Sequence, residues 1–186
     1  MPKTARHTLL REATAVAHAS LECVIGDLAD LAGYGHYVAG LYRFRQPLEE
    51  RLREIDWPDS FDGWRPVLLT ADLEQDLEDL ALDIPFHSAP APPAADRSTL
   101  MGMLYVLEGS RLGAAIVRQR AHRLGLRDDC GARHLTHQIN ARASWPAFLS
   151  LLDRLPDIDD GHLANSANET FSLARSAMVD ERRSAA

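Results

Sequence analysis

Only two cysteines, Cys23 and Cys130, occur in 186 residues, so no disulfide framework holds this chain and both are expected as reduced packing thiols. Aromatic residues make up 6%, and alternating Val, Ile, Thr and Tyr runs, the mark of strands, are almost missing. Positive charge is in deficit as well. A net charge of -7 argues against general nucleic-acid binding, which needs a basic surface facing the phosphates. The apolar run Leu100 to Leu107 falls far short of the roughly 20 residues that cross a bilayer. The opening Met1-Pro-Lys-Thr-Ala-Arg-His7 lacks the apolar stretch of a signal peptide. The expectation is a cytoplasmic protein with no nucleic-acid or membrane partner.

What is present is helical periodicity. The 46% hydrophobic and 25% charged content fits a globular chain, and the length suits one domain over 1–186. Leu10, Thr14, Ala17, Leu21, Val24 and Leu28 step by three and four, predicting one helix over 4–31. Gly33 and Gly35 punctuate the chain before a second helix over 37–55, and a third is predicted over 67–82. Ser88 to Asp96 is a proline-rich connection, with Asp96 or Ser98 as N-cap of a long helix to about Leu124. Shorter helices follow over 134–143 and 145–155, then a last one over 161–180. Asp157-Ile-Asp-Asp-Gly161 has its glycine one place early for an EF-hand loop and reads as a helix cap. The fold class is all-α.

The long helix carries an energetic oddity in Leu104-Tyr-Val-Leu-Glu-Gly-Ser-Arg-Leu-Gly-Ala114. Each glycine in a helix interior costs about 1 kcal/mol relative to alanine, yet Gly102, Gly109 and Gly113 share one side. Either a flat, rigid body lies against exposed backbone there, or a neighbouring helix packs closely. Ser110 and Arg111 interrupt the apolar stripe at the same place. A serine nucleophile is not expected, because a nucleophile elbow needs glycine two places before the serine and a strand leading in; residue 108 is glutamate.

His18 lies at the shoulder of the first helix's apolar face, with Glu22 one turn later. A carboxylate on one imidazole nitrogen would leave the other free to ligate a metal, although a satisfied or surface histidine shows the same pattern. His134, His137 and Cys130 outline a zinc site only loosely, and the two histidines are expected as exposed polar residues. Arginines 6, 11, 43, 45, 111, 118 and 175 are expected mostly on solvated faces, where any of them can pair with a ligand carboxylate.

Leu10-Arg-Glu-Ala-Thr-Ala-Val-Ala-His-Ala-Ser-Leu-Glu22 together with residues 104–114 resembles heme oxygenase, in the bacterial biliverdin-producing branch associated with phytochromes. Weaker matches at Tyr42 through Glu49, Leu73 to Leu80 and Trp145 to Leu152 extend the likeness over most of the chain. The resemblance implies a single-domain helical bundle of the heme oxygenase type, with heme between the first helix and a glycine-bearing distal helix. His18 is then the axial ligand of heme iron and Glu22 its partner. Gly109, Ser110 and Gly113 lie at the reaction face, with Tyr105, Arg111 and Arg11 also placed around the heme. Heme is both cofactor and substrate, and O2 with electrons from an external ferredoxin or reductase converts it to biliverdin, carbon monoxide and ferrous iron. A phytochrome is an implied partner. Three positions depart from the family's pattern. Ser110 stands where aspartate is frequent, Ala114 where a second glycine is common, and Arg45 where an aromatic hydroxyl residue often sits. The resemblance makes Ser110 the nearest candidate to deliver protons to the bound oxygen, and Ala114 and Arg45 are expected to crowd or recharge the pocket; the three departures together leave a non-catalytic heme-binding or heme-trafficking protein as the alternative.

Overall fold

The computed structural model of this chain describes residues 5–85 and 96–184, so the connection Ser88 to Ala95 lies outside the described residues. Among the described residues the helices are α1 (Ala5–Ala13), α2 (Ala15–Ile25), α3 (Leu31–Arg53), α4 (Thr70–Asp79), α5 (Arg97–Gly109), α6 (Ala114–Arg123), α7 (Arg133–Asn140), α8 (Ser144–Arg154) and α9 (Asp160–Ser184). Two 3-10 turns, Asp59–Phe61 and Ser110–Gly113, complete them. No strand occurs among these residues beyond two isolated bridges in the loop at 127–131, so the all-α expectation is met.

The α9 helix is the axis of the bundle, with α5, α3, α2 and α1 packed around it. Its inward residues Leu163, Ala167, Phe171, Ala174 and Met178 are buried among apolar side chains of α3 and α5. Small residues allow this closeness. A Cβ on Gly102 would stand 2.4 Å from the Leu163 carbonyl oxygen, and one on Gly40 would stand 2.6 Å from the Met178 sulfur. Gly102 is therefore a packing glycine against α9 and no part of an open groove, a correction to its grouping with Gly109 and Gly113.

The predicted first helix is bent. Thr14 leaves helical geometry with φ -102° and ψ 1° while the backbone bonds continue through it, Thr14 N–H to Leu10 O and His18 N–H to Thr14 O, both at 2.9 Å. Its hydroxyl also donates to Leu10 O at 2.7 Å, the back-bonding that bends helices at buried threonines. The helical run then stops at Gly26, whose φ of 71° suits only a residue without a Cβ. Gly33 and Gly35 lie inside α3, because Asp30 caps that helix earlier by accepting from Gly33 N–H at 2.7 Å. Asp96 caps α5 through Thr99 N–H at 2.9 Å. Asp159 caps α9 through His162 N–H at 2.8 Å, as the capping reading of that loop expects.

The stretch Arg97–Arg123 is continuous and apolar enough to pass for a membrane span by length and composition, yet 56% of its apolar window is buried inside the protein. That is the behaviour of a core helix. The stretch is also not one uniform helix, since α5 tightens into the 3-10 turn at Ser110–Gly113 before α6 resumes. Mid-helix 3-10 turns mark strain or function.

Candidate functional site

The 3-10 turn is held from behind. Ser110 Oγ donates to the Leu107 carbonyl at 2.8 Å and accepts from Gln138 Nε2 at 3.1 Å and Arg45 Nη1 at 3.4 Å. Arg111 folds inward, its Nη2 donating to the Gln138 carbonyl at 2.6 Å and its Nη1 3.6 Å from Glu108 Oε2. Glu108 itself accepts from Val67 N–H at 2.9 Å and Ser144 Oγ at 2.5 Å. Both polar residues of the turn thus anchor it to α3 and α7, and Glu108 just before it is tied to α8.

Behind Ser110 lies a buried ion pair. Arg45 is 1% exposed and Glu49 is 0% exposed, and Arg45 Nε stands 2.6 Å from Glu49 Oε1. Arg45 also donates to the carbonyls of Leu107 and Val67 at 3.3 and 2.9 Å. Glu49 accepts from Leu69 N–H and Thr70 N–H at 2.9 Å and from the Thr70 hydroxyl at 2.5 Å. Burial pushes the Glu49 carboxyl up, but Arg45, Thr70 and the Leu69 N–H outweigh it and hold the group below the usual carboxylate range. Arg45 was expected on a solvated face or crowding a pocket. It does neither, because its donors are taken up inside. Ala114 is also turned inward, at 2% exposure.

The glycine side is open. A Cβ on Gly113 would meet nothing within 4 Å, and one on Gly109 would meet only the Trp145 ring at 3.8 Å. Leu112 and Ile116, flanking Gly113 on the same run, are 64% and 60% exposed. An apolar surface around missing side chains is unusual for a helix whose preceding two turns are wholly buried.

On α2, four residues beyond the Thr14 bend, the His18 side chain is 57% exposed with Nδ1 3.7 Å from Glu22 Oε2. The ring meets the edge of Phe171 on α9, with centroids 5.7 Å apart. Tyr105 links this region to α5. Burial raises its phenol pKa, opposed by a hydrogen bond with Thr14 and by the charge of the exposed Arg11, and its ring lies 5.6 Å from Trp145. The placement of Tyr105 beside the bend, and of Trp145 beside both Tyr105 and Gly109, connects the two sequence motifs through one aromatic cluster.

His134 is the clear misreading among the histidines. It is 0% exposed, with Nδ1 2.7 Å from Asp76 Oδ2, while His137 pairs with Asp72 at 2.6 Å. No group of three or more His, Cys, Asp or Glu able to hold a metal occurs among the described residues, so the zinc outline through Cys130 is not formed. Sequence reasoning missed Glu49, Asp76 and Gln138. The i, i+4 spacing of Arg45 and Glu49 was a usable signal; Gln138 offered none.

An all-helical scaffold with an exposed imidazole on one helix and side-chain-free backbone on another is an arrangement able to hold a flat prosthetic group. The comparisons with known proteins agree. The heme oxygenase family profile matches residues 5–180. Heme oxygenase PigA of Pseudomonas aeruginosa is 30% identical over 163 residues, 83% of this chain and 82% of that protein. A heme oxygenase of Xanthomonas campestris pv. campestris is 29% identical over 136 residues, 66% of this chain and 78% of that one. The crystal structure of NO- and CO-bound heme oxygenase from Neisseria meningitidis superposes with a TM-score of 0.73 at 21% identity, covering 92% of this chain and 89% of that one. The chain belongs to the heme oxygenase family, and heme is accordingly its substrate and prosthetic group. The residues present fit that group, because the open backbone at Gly109 and Gly113 with exposed Leu112 and Ile116 suits a flat apolar macrocycle.

Proposed function

We propose that this protein cleaves heme to biliverdin, carbon monoxide and ferrous iron, and that His18 would hold the heme iron while the open backbone at Gly109 and Gly113 would receive the macrocycle. The observation that carries the reading is the open Cβ position of Gly113, with only Trp145 near that of Gly109, in a helix otherwise built for close packing. Glu22 lies within reach of His18 Nδ1 to hold the tautomer that frees Nε2 for iron. Tyr105 braces α5 against the bend below His18, and exposed Arg11 offers a cation for a propionate.

Bound heme supplies the oxygen activation. The chain's own residues bind, orient and exclude. Ser110 holds the turn in place rather than releasing a proton, since its hydroxyl hydrogen is directed at Leu107 O. Arg111, directed into the protein, supports the turn in the same way. Electrons come from an external ferredoxin or reductase, and a phytochrome in the same cytoplasm is the candidate recipient of the bilin.

Hemin added to the purified protein should give a saturable Soret band that decays with reductant and O2 while a bilin absorption grows; chromatography of the product identifies the isomer. Heme left intact under reducing turnover conditions overturns the activity and leaves a heme-binding protein. His18→Ala should abolish the axial-ligand signature, and an unchanged spectrum removes His18 from its role.

A further inference from the structure

The chain has three tryptophans, and the fold gathers all of them into one run of rings, although Trp57 and Trp64 lie between α3 and α4 while Trp145 opens α8. Ring centroids step from Tyr105 to Trp145 at 5.6 Å, to Phe148 at 5.7 Å and to Trp64 at 5.5 Å. From there they pass to Phe61 at 6.5 Å and to Trp57 at 5.3 Å. Trp145 and Phe148 are stacked, with 22° between their planes. Both phenyl links are fully buried, and Trp57 at the outer end is half-buried between exposed Asp56 and Pro58. At the inner end, Trp145 Cη2 and Cζ3 stand 3.8 Å from the position that a Gly109 Cβ would take. The run therefore leads from the surface to the glycine that, on the heme oxygenase reading, receives the macrocycle.

Packing accounts for the buried phenyl rings and leaves one feature over. A buried indole N–H ordinarily finds an acceptor, yet Trp64 Nε1 is buried and meets none among the described residues. Such an orphan calls for a reason beyond packing, a redox role being one. With no group beside it to take the proton, Trp64 that loses an electron keeps its N–H as a charged ring, and electron transfer alone restores it. Trp57 differs. The Arg65 guanidinium lies over it at 5.1 Å and disfavours a second positive charge there, so oxidised Trp57 sheds its proton to solvent as a neutral radical. Indole chemistry also fixes the direction of traffic. Indoles yield one electron to strong oxidants and accept none from a ferredoxin or reductase, so the run carries oxidising equivalents outward and not donor electrons inward.

We propose that Trp145, Phe148, Trp64, Phe61 and Trp57 form a one-electron relay that drains oxidising equivalents from the heme site to the surface under attack by peroxide. This role rests on the heme oxygenase reading; conduction along the rings does not. The oxidant is hydrogen peroxide, which takes up two electrons and two protons to become two waters. Trp145 passes an electron to the heme site, Trp64 restores Trp145 across Phe148, and Trp57 restores Trp64 across Phe61. Trp57 releases its N–H proton to solvent, then recovers an electron and a proton from a small reductant such as ascorbate. Two passages supply both electrons, and the protons shed at Trp57 match those that peroxide takes up. Tyr105, buried at 8% exposure, is a branch at the inner end that yields its electron only together with its proton.

Two measurements test it. In the heme-free chain, azide radical made by pulse radiolysis takes one electron from an indole. The indolyl absorption should then decay in a first-order step, independent of protein concentration, while a phenoxyl absorption grows as Tyr105 gives its electron and proton to Trp145. Tyr105→Phe should remove that growth, and Trp145→Phe should slow it at least fivefold. Growth that persists in Tyr105→Phe, or a smaller change in Trp145→Phe, overturns conduction; should Trp145→Phe fold poorly, the Tyr105→Phe result decides alone. In the second measurement, hemin-loaded protein is freeze-quenched with hydrogen peroxide and read by electron paramagnetic resonance. A tryptophanyl radical is expected, its lines narrowed by ring-deuterated tryptophan, and ascorbate should clear it at least fivefold faster in the parent than in Trp64→Phe. No tryptophanyl radical, or a smaller difference in clearance, overturns the drain. Conduction in a chain that shows no saturable hemin binding upholds the relay and overturns the heme oxygenase reading with the role built on it, so the two failures are distinguishable.

Discussion

Arg45 Nη1 reaches Ser110 Oγ at 3.4 Å across 65 residues of sequence, and the same guanidinium is neutralised one turn along its own helix by Glu49. The turn beneath the proposed heme is thus tied to a charge pair that never meets solvent. Desolvating two ions is costly, and the structure offsets that cost by giving each of them further hydrogen bonds.

Removing one member of this pair should be severe. Arg45→Leu leaves Glu49 buried without its cation, and a loss on the order of 3–5 kcal/mol in unfolding free energy is expected. Urea unfolding checks it. The double variant Arg45→Leu with Glu49→Leu should recover part of the loss, and additive losses in the two single variants and the double would sink the pairing.

Glu49 also predicts a pH dependence. Its folded pKa lies below the ordinary 4.5, so its ionised form stabilises the fold fully above that pH, and the contribution disappears as pH falls through the lower folded value. Glu49→Gln lacks this ionisation. The stability gap between parent and variant should therefore be widest at neutral pH and close on acidification below 4.5; a gap constant from pH 7 to pH 3 contradicts it.

The glycines should separate cleanly. Gly102→Ala places a Cβ against the Leu163 carbonyl and should lower the melting temperature through overpacking worth about 1–3 kcal/mol. Gly113→Ala meets no atom within 4 Å and its backbone, at φ -86°, accepts alanine. It should raise apo-protein stability by up to about 1 kcal/mol while weakening hemin affinity, which a paired thermal and hemin titration reads directly. Equal affinity in Gly113→Ala and the parent would remove Gly113 from the heme face.

Asp76 holds α7 to α4 by two backbone N–H groups, His134 and Arg133. Asp76→Ala orphans the two backbone N–H groups and His134 Nδ1, while the Arg133 side chain keeps Asp79, and a loss of at least about 3 kcal/mol is expected. Amide exchange should accelerate first along α7, with Gln138 and the Ser110 turn following. Exchange that rises uniformly over the molecule instead would show that α7 is not held locally.

Helical periodicity and the absence of strand patterns were enough to read the fold class, and a cap at Asp96 or Ser98 and another within 157–161 were legible because capping is local chemistry; the structure assigns them to Asp96 and Asp159. The two motifs that resemble heme oxygenase were legible for a similar reason, since each lies within one short run of chain. The bend at Thr14 was not, because a buried threonine hydroxyl back-bonding to Leu10 depends on what packs over it. The same holds for Gly102 against Gly113: both read as a missing side chain, and only the presence of α9 at one and open space at the other tells packing from access.

By itself, then, the sequence determined an all-helical chain, the placing of most helices, and the pairing of His18 with Gly109 and Gly113 as residues of interest. Tertiary structure alone decided that Arg45 is neutralised in the core, that His134 is buried on Asp76, and that Ser110 faces Leu107, Arg45 and Gln138. The physical reason is range. Periodicity and caps act over a few residues, whereas the partner that determines whether a charged or polar side chain is buried or solvated arrives from a distant helix.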